Sequence, residues 1–167
     1  PGDEPTGLIE EIQKLTVQAF SEGADIVGGT PNRYTDEIRF IDDLFDIAKE
    51  VDRDMDLHVD EKDEPVVAAL EYYADKALAE GFAGRVTAGH ACALSAVDED
   101  TAQRVIGKIK AAGMTVVTLP SCNLYLIGRG DKGLVRRGPT RVRELLDAGV
   151  NVATSSDNVR DPFRPFG

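Results

Sequence analysis

The stretch Met55-Asp56-Leu57-His58-Val59-Asp60-Glu61 decides how the rest of the chain is interpreted. Apolar residues alternate here with Asp56 and His58, which predicts a short strand that delivers an imidazole and two carboxylates to one edge of a sheet. Positions 58 and 60 of a strand point to the same side, so we expect His58 and Asp60 to share a face. Glu61 reaches that face only where the chain turns immediately.

The same plan recurs along the chain: a helical pattern, a glycine, a short apolar strand and a polar tip. Five matching strand positions lie roughly 30 residues apart, which is the length of a βα unit. They are Ile26, Leu57, Val86, Val116 and Val152. Right-handed crossovers would make all five strands parallel and bring their tips to one edge. His90 follows the third strand and Asp157 the fifth, so we expect both near His58.

Two α/β architectures fit five consecutive βα units. A (β/α)8 TIM barrel typically takes about 250 residues, so a chain of 167 residues supplies roughly five of its eight strands, a partial barrel. An open, doubly wound sheet of five strands is the alternative, and its size fits the length better. In either case residues 1–167 are expected to form a single α/β segment.

Local signals also predict where several elements begin and end. Pro65 is expected as the first residue of a helix. Asp100 and Gln103 resemble a capping box at the start of the next helix. Residues 121–138 are expected to form a long loop, which is either a lid or binding segment or simply mobile, with its basic residues solvated or facing another subunit.

The composition narrows the range of partners. A formal net charge of −11 disfavours nucleic acid and anionic membranes, since both require a clustered basic surface. No apolar run approaches the length of a membrane span, and no signal-peptide pattern opens the chain. The two cysteines, Cys92 and Cys122, lack CxxC spacing, which favours a reducing compartment. We therefore expect a cytoplasmic protein.

Taken singly, the titratable residues leave two interpretations open. His58 could hold a divalent ion, and Glu61 could move protons to and from water that the ion activates. Alternatively, His58 and His90 are structural histidines, and Asp157 caps a helix that starts near Val159. Two histidines at equivalent tips of consecutive units favour the functional interpretation.

Four ordered motifs resemble the cytosine deaminase branch of the amidohydrolase superfamily. They are His-Val-Asp-Glu at 58–61, Val-Thr-Ala-Gly-His at 86–90, Arg-Arg-Gly-Pro-Thr-Arg-Val at 136–142 and Ser-Asp-Asn-Val-Arg-Asp-Pro-Phe at 156–163. The likeness runs in register from Gly23 to Gly167. It implies a metal-dependent TIM-barrel hydrolase, of which this chain supplies strands four to eight.

The resemblance also implies a role for each residue of the cluster. His58 and Asp157 would be metal ligands, and Glu61 would be a proton shuttle. His90 would orient or polarise the attacking water and the substrate. Asp157 would in addition accept a proton from that water.

Two departures from the family pattern bear on the substrate and on the extent of the enzyme. The His-x-His pair of strand one has no counterpart in this chain, which implies a segment of a longer enzyme, the C-terminal part of its barrel. Asn158 stands where cytosine deaminases usually carry a second aspartate. Since an amide donates as well as accepts, another pyrimidine, a triazine or a cyclic amidine becomes plausible. Asn158 and Phe163 are the expected substrate contacts.

These observations predict a deaminase that removes an exocyclic amino group from a cytosine-like nitrogen heterocycle by metal-activated water. One divalent ion, zinc or iron, is the implied cofactor. A small heterocyclic molecule is the expected partner, and we expect the full-length enzyme to be a homo-oligomer. The alternatives are an amidohydrolase acting on a triazine or cyclic amide, including N-dealkylation, and a non-catalytic α/β fragment or binding module.

Overall fold

The computed structural model describes residues 10–133, 136 and 138–159, and a parallel sheet of five strands forms its centre. The strands are β1 (Ile26–Gly29), β2 (Asp54–Val59), β3 (Val86–His90), β4 (Thr115–Thr118) and β5 (Asn151–Thr154). Their order in the sheet is their order in the chain, and each pairs with the next in parallel. The predicted α/β class, with five parallel strands in consecutive βα units, is confirmed.

Six α-helices lie in the described part of the chain. They are α1 (Glu10–Ser21), α2 (Glu37–Val51), α3 (Ala68–Ala79), α4 (Glu99–Ala111), α5 (Pro120–Leu126) and α6 (Val142–Asp147). Two short 3₁₀ helices, Pro31–Arg33 and Cys92–Ser95, follow β1 and β3. Within the described ranges, none of the helices combines the length and the apolar character needed to cross a membrane.

The hydrophobic core lies between the sheet and the helices that connect its strands. Met55, Leu57 and Val59 of β2 are almost completely buried in it, together with side chains of α2, α3 and α4. The intervening His58 is only half-buried, because alternate residues of a strand point to opposite faces. The packing of β2 on the helices therefore directs His58 to the other face of the sheet.

Two predicted helix starts are wrong by a few residues. α3 begins at Ala68 rather than at Pro65. α4 is capped by Asp98 rather than Asp100, because Asp98 has the extended backbone of an N-cap and its carboxylate accepts a hydrogen bond from the Thr101 backbone N–H. Asp100 lies inside the first turn of that helix, where its own backbone is already helical.

The predicted loop at 121–138 is also partly wrong, since α5 occupies its first six residues. Pro120 stands in the first turn, where its missing N–H costs no hydrogen bond. The backbone N–H of Asn123 then bonds to the Leu119 carbonyl. The helix places its residues beside the carboxyl end of β4.

Candidate active site

Four of the six sequence-predicted site residues, His58, Glu61, His90 and Asp157, converge at the carboxyl ends of the strands. His58 lies near the end of β2, His90 is the last residue of β3, and Asp157 follows β5 by three residues. One potential ligand atom from each of these three lies within 4.8 Å of the other two. Glu61, Cys122 and Asp157 form a second group of the same extent. Cys122 is a member that the sequence analysis did not anticipate.

The backbone turns abruptly where these side chains are placed. Asp60, His90, Ala91 and Asp157 all adopt the left-handed conformation, with φ of 50°, 67°, 49° and 63°. Residues other than glycine rarely adopt it, and such strain concentrates at functional sites. These turns redirect the chain at or after the ends of β2, β3 and β5.

His58 and His90 are in direct contact through their rings. His90 Nε2 lies 2.8 Å from His58 Nδ1, within hydrogen-bonding distance. His90 is 1% exposed, whereas His58 is half-buried. Burial and the neighbouring His58 imidazole lower the pKa of His90 to about 4. His90 is therefore neutral at physiological pH, with one ring nitrogen protonated and the other free to accept.

Glu61 occupies the position next to His90. Its Oε1 is 3.2 Å from His90 Nδ1. Burial, reinforced by the Asp157 carboxylate, raises the pKa of Glu61 to about 7. A carboxyl group with this pKa exists in both protonation states near neutral pH, which is what proton transfer in both directions requires.

Asp60 does not belong to this cluster, so the prediction that it shares a side with His58 is wrong. The strand ends at Val59, and the left-handed backbone at Asp60 breaks the alternation of sides. The Asp60 carboxylate instead accepts a hydrogen bond from the Leu70 backbone N–H at 2.9 Å and pairs with Lys62. It thereby satisfies a backbone donor in the first turn of α3.

Asn123 is a site residue that the sequence analysis missed. It is fully buried in α5, and its Nδ2 lies 2.9 Å from His90 Nδ1 and 3.3 Å from Glu61 Oε1. The only signal was its position, shortly after the fourth strand of the repeat. A single amide in an apolar segment carries no catalytic signature of its own.

A cavity of about 370 Å³ opens beside Glu61, which is within the size range of small-molecule sites. Its lining comes from the 3₁₀ helix after β1, the segment after β2 and the end of α5. The lining residues are Asn32, Arg33, Glu61, Lys62, Asp63, Leu126 and Ile127. Asn32 Nδ2 donates to the Glu61 carbonyl at 3.1 Å, so the cavity wall also supports the Glu61 backbone.

The two predicted substrate contacts differ in what the structure says of them. Asn158 directly follows Asp157 and is half-buried. Phe163 lies outside the described residues.

The basic residues expected to be solvated or subunit-facing are partly engaged within the chain. Arg136 forms an ion pair with Asp131 and donates a hydrogen bond to the Asp63 carbonyl. The Arg129 guanidinium stacks over the Tyr125 ring at 4.4 Å. Arg136 therefore ties the segment after α5 to the segment that carries Glu61.

Comparison with known proteins identifies the family. Residues 4–167 match the Amidohydrolase family. The chain belongs to the amidohydrolase family. This agrees with the resemblance found in the motifs, and it makes the five βα units part of an amidohydrolase-type barrel.

Individual amidohydrolases are similar over almost the whole chain. A pterin deaminase of Rhizobium rhizogenes is 41% identical over 87% of this chain and 34% of its own length. The N-isopropylammelide isopropyl amidohydrolase of a Pseudomonas species is 31% identical over 94% of this chain and 36% of its own length. The crystal structure of 5-methylcytosine deaminase from Klebsiella pneumoniae, liganded with 5-fluorocytosine, superposes with a TM-score of 0.90 at 33% identity over 99% and 40%. The chain thus spans about a third of the length of the curated relatives.

Amidohydrolases depend on divalent metal ions, and the donor set of this site fits such an ion. Two imidazoles and a carboxylate approach one another from His58, His90 and Asp157, and of these His58 and Asp157 offer the nitrogen and oxygen donors. Nitrogen and carboxylate oxygen donors suit both zinc and iron.

Proposed function

We propose that the protein is a metal-dependent hydrolase that removes an exocyclic amino group from a nitrogen heterocycle. Residues 1–167 would form the C-terminal part of its barrel. The observation that carries this proposal is the convergence of two imidazoles and two carboxylates at the carboxyl ends of parallel strands, from His58, His90, Glu61 and Asp157. The high similarity to deaminases over nearly the whole chain supports the same reaction class.

His58 and Asp157 are the proposed ligands of one divalent ion, zinc or iron. When bound, such an ion would act as a Lewis acid, and the pKa of water would therefore fall from 15.7 toward about 7. A catalytic zinc usually takes three protein ligands, so the full-length enzyme would contribute further donors.

The remaining chemistry belongs to the side chains of this chain. Asp157 accepts a proton from the attacking water. Glu61, whose pKa of about 7 allows it to gain and lose a proton at neutral pH, delivers a proton to the departing amine. His90, neutral and buried, donates a hydrogen bond that orients and polarises the reacting groups.

The proposed substrate is a cytosine-like or pterin-like ring. The similarity to a pterin deaminase and to a 5-methylcytosine deaminase supports rings of both sizes. The cavity beside Glu61 is large enough for a substrate that extends beyond one ring. Asn158, which can donate as well as accept, and Phe163 are the proposed ring contacts.

The decisive experiment uses the full-length protein. Metal content is measured as purified, and ammonia release is followed with cytosine, 5-methylcytosine, isocytosine, pterin, creatinine and aminotriazines. We expect about one divalent ion per subunit and turnover of at least one of these rings. A preparation that binds no divalent ion, or that is inert towards all of them when metal-loaded, contradicts the proposal.

Two variants test the assigned roles against a matched control. Glu61→Gln and Asp157→Ala should lower kcat at least about 10²-fold, because general acid–base groups contribute on the order of 10²–10⁴. The control is Glu64→Gln, an exposed glutamate three positions further along the same segment. Full activity of Glu61→Gln would remove Glu61 from the mechanism.

N-dealkylation of a triazine is the second candidate within the class. The similarity to an N-isopropylammelide isopropyl amidohydrolase favours it. The product decides: an N-alkylaminotriazine would release alkylamine rather than ammonia. Dominant alkylamine release would replace deamination as the assigned reaction.

The proposal also covers location and assembly. We place the enzyme in the cytoplasm as a homo-oligomer that binds neither nucleic acid nor membranes. The net charge of −11 supports the absence of nucleic-acid and membrane binding, and two buried cysteines that form no disulfide support the location. Sedimentation velocity of the full-length enzyme tests the assembly, and a monomer at all concentrations would contradict it.

A further inference from the structure

The Asn123 side chain links two residues of the site that come from different strands. It is fully buried, and its Nδ2 lies 2.9 Å from Nδ1 of His90 and 3.3 Å from Oε1 of Glu61. His90 ends β3 and Glu61 follows β2, whereas Asn123 lies in α5 after β4. The three polar groups therefore meet at one point, although they are far apart in sequence.

The chemistry of the neighbours determines the orientation of this amide. An NH₂ group carries two hydrogens, one for each of the two acceptors. The reversed orientation would place the amide carbonyl against Oε1 of Glu61, and whenever Glu61 is ionised two acceptors would then meet without a hydrogen between them. The NH₂ group of Asn123 thus faces His90 and Glu61.

This orientation determines which nitrogen of His90 carries the proton. Because Nδ2 of Asn123 can only donate, Nδ1 of His90 must accept, and a neutral ring then has its hydrogen on Nε2. Nε2 is the nitrogen that faces His58 Nδ1 at 2.8 Å. Nδ1 of His90 also lies 3.2 Å from Glu61 Oε1. Without the amide, Nδ1 would therefore carry the proton and donate it to that carboxylate. Asn123 therefore decides between two tautomers that both have a partner.

The other half of the amide indicates that Asn123 is present for function. Its Oδ1 is buried without a hydrogen-bond partner among the described residues. A buried unsatisfied carbonyl destabilises the folded state, and an apolar side chain of similar size would avoid that cost. The position therefore tolerates this cost for the hydrogen bonds that the NH₂ group donates to His90 and Glu61.

We propose that Asn123 is a positioning residue that holds His90 in the Nε2-protonated tautomer and holds Glu61 beside it. This inference rests on the proposed function, since His90 acts there as a hydrogen-bond donor. The Nε2–H of His90 then lies on the side of His58, a proposed metal ligand, where the proposed function places the reacting groups. The same amide prevents Nδ1 of His90 from donating a hydrogen bond to the Glu61 carboxylate.

The first test is spectroscopic and needs no substrate. The full-length protein is labelled with ¹⁵N in the histidine rings and loaded with zinc, which is diamagnetic, and His90 signals are assigned from their loss in His90→Gln. In the unmodified protein, Nδ1 of His90 should be unprotonated and Nε2 protonated. In Asn123→Asp and Asn123→Leu the proton should move to Nδ1, because neither side chain donates to it.

The second test separates positioning from folding. Asn123→Leu should lower kcat about 10²-fold, the size of effect that misplacing a catalytic group produces, while KM changes much less. Its Tm should change little, because removing the unsatisfied carbonyl offsets the loss of the hydrogen bonds that the amide donates. The matched control is Asn151→Leu, an exposed asparagine at the opposite end of β5 that bonds to Thr115, and it should keep the original kcat.

A proton on Nδ1 of His90 in the unmodified protein would overturn the inference, as would an unchanged tautomer in both variants. An Asn123→Leu protein with original kcat, or with a lowered Tm that accounts for its loss of activity, would do the same. Failure of the proposed function looks different: no substrate is turned over, yet the tautomer still responds to the Asn123 variants. If the leucine variant does not fold, Asn123→Asp still decides through the tautomer.

Discussion

At the scale of single residues, the site contains two titratable groups, and burial shifts their pKa values in opposite directions. Burial favours the neutral form of both, so the pKa of His90 falls to about 4 and that of Glu61 rises to about 7. His90 Nδ1 lies 3.2 Å from Glu61 Oε1. A neutral imidazole is thus in contact with a carboxyl group that is partly protonated at neutral pH. Because burial shifts both pKa values, the free energy of unfolding should depend on pH through both groups.

In the metal-stripped protein, the two groups should give stability slopes of opposite sign. Between pH 4 and 6.5 the unfolded state binds more protons at His90, so its contribution is complete above pH 6.5 and is lost as pH falls toward 4. The carboxyl of Glu61 binds more protons when folded, so its contribution is complete below pH 4.5 and is lost as pH rises toward 7. The free energy of unfolding should therefore vary little across pH 4.5–6.5.

Variants separate the two slopes. Glu61→Gln should leave a free energy of unfolding that rises with pH, and His90→Gln should leave one that falls, as measured by urea unfolding at several pH values. The control is Glu64→Gln, which should reproduce the flat profile. Parallel profiles for the two site variants would show that burial does not shift both groups.

Residue chemistry explains which parts of the site could be predicted from sequence. His58, Glu61, His90 and Asp157 were identifiable, because imidazoles and carboxylates at strand tips carry a chemical signature. Asp60 was assigned to the wrong side, because alternation holds only while the strand continues and its left-handed turn is a tertiary property. The amide in α5 was invisible for the reason that its role comes entirely from its neighbours.

At the scale of elements, α5 is the helix that brings a polar side chain from the fourth βα unit into the site. Its position depends on a close approach by Gly138. A Cβ at that glycine would lie 2.7 Å from the Asn123 carbonyl oxygen and 2.7 Å from Ile127 Cβ. Gly138 also has a φ of +53°, which strains any other residue. The segment after α5 therefore packs against the helix only because this residue has no side chain.

Gly138→Ala should displace α5 and disturb both stability and catalysis. Overpacking of this kind costs about 1–3 kcal/mol, and the left-handed φ adds to it. The expected result is a lower Tm together with a lower kcat, since Asn123 moves with its helix. Thermal unfolding and steady-state kinetics of the full-length protein measure the two effects.

The matched control for this change is Gly130→Ala in the same segment. A Cβ there has open space and no left-handed φ, so both Tm and kcat should stay close to the original values. Equal behaviour of the two alanine variants would mean that the contact of Gly138 with α5 does not hold the helix in place.

The elements were predictable to the extent that periodicity extends over many residues. The recurring plan of a helical pattern, a glycine and a short apolar strand identified the five βα units. The starts of α3 and α4 were wrong by a few residues, because the residue that satisfies the first N–H groups is decided by folding. Asp60, ten residues before Leu70 in the chain, does this for α3. The short α5 was missed because one and a half turns leave no clear period.

At the scale of the whole molecule, five parallel strands leave two sheet edges. β1 and β5 each have a single neighbour in the described sheet. The choice between a partial barrel and an open sheet could not be made from periodicity, since both have the same repeat. The match of residues 4–167 to the amidohydrolase family decides for the barrel.

The 167-residue chain expressed alone should be inactive and should self-associate. Unpaired N–H and C=O groups on an edge strand recruit other strands, and apolar surface beside the edge strengthens the contact. Ile26 of β1 is 54% exposed, and Leu15 of α1 is 58% exposed in the same apolar groove.

We expect Ile26→Lys combined with Leu15→Lys to reduce the association, because charge on an edge opposes pairing. Leu78→Lys, at an exposed position of α3 between the edges, should leave it unchanged. Sedimentation velocity over a range of concentrations measures all three proteins, and an unmodified chain that stays monomeric with one sharp thermal transition would show that its edges are closed.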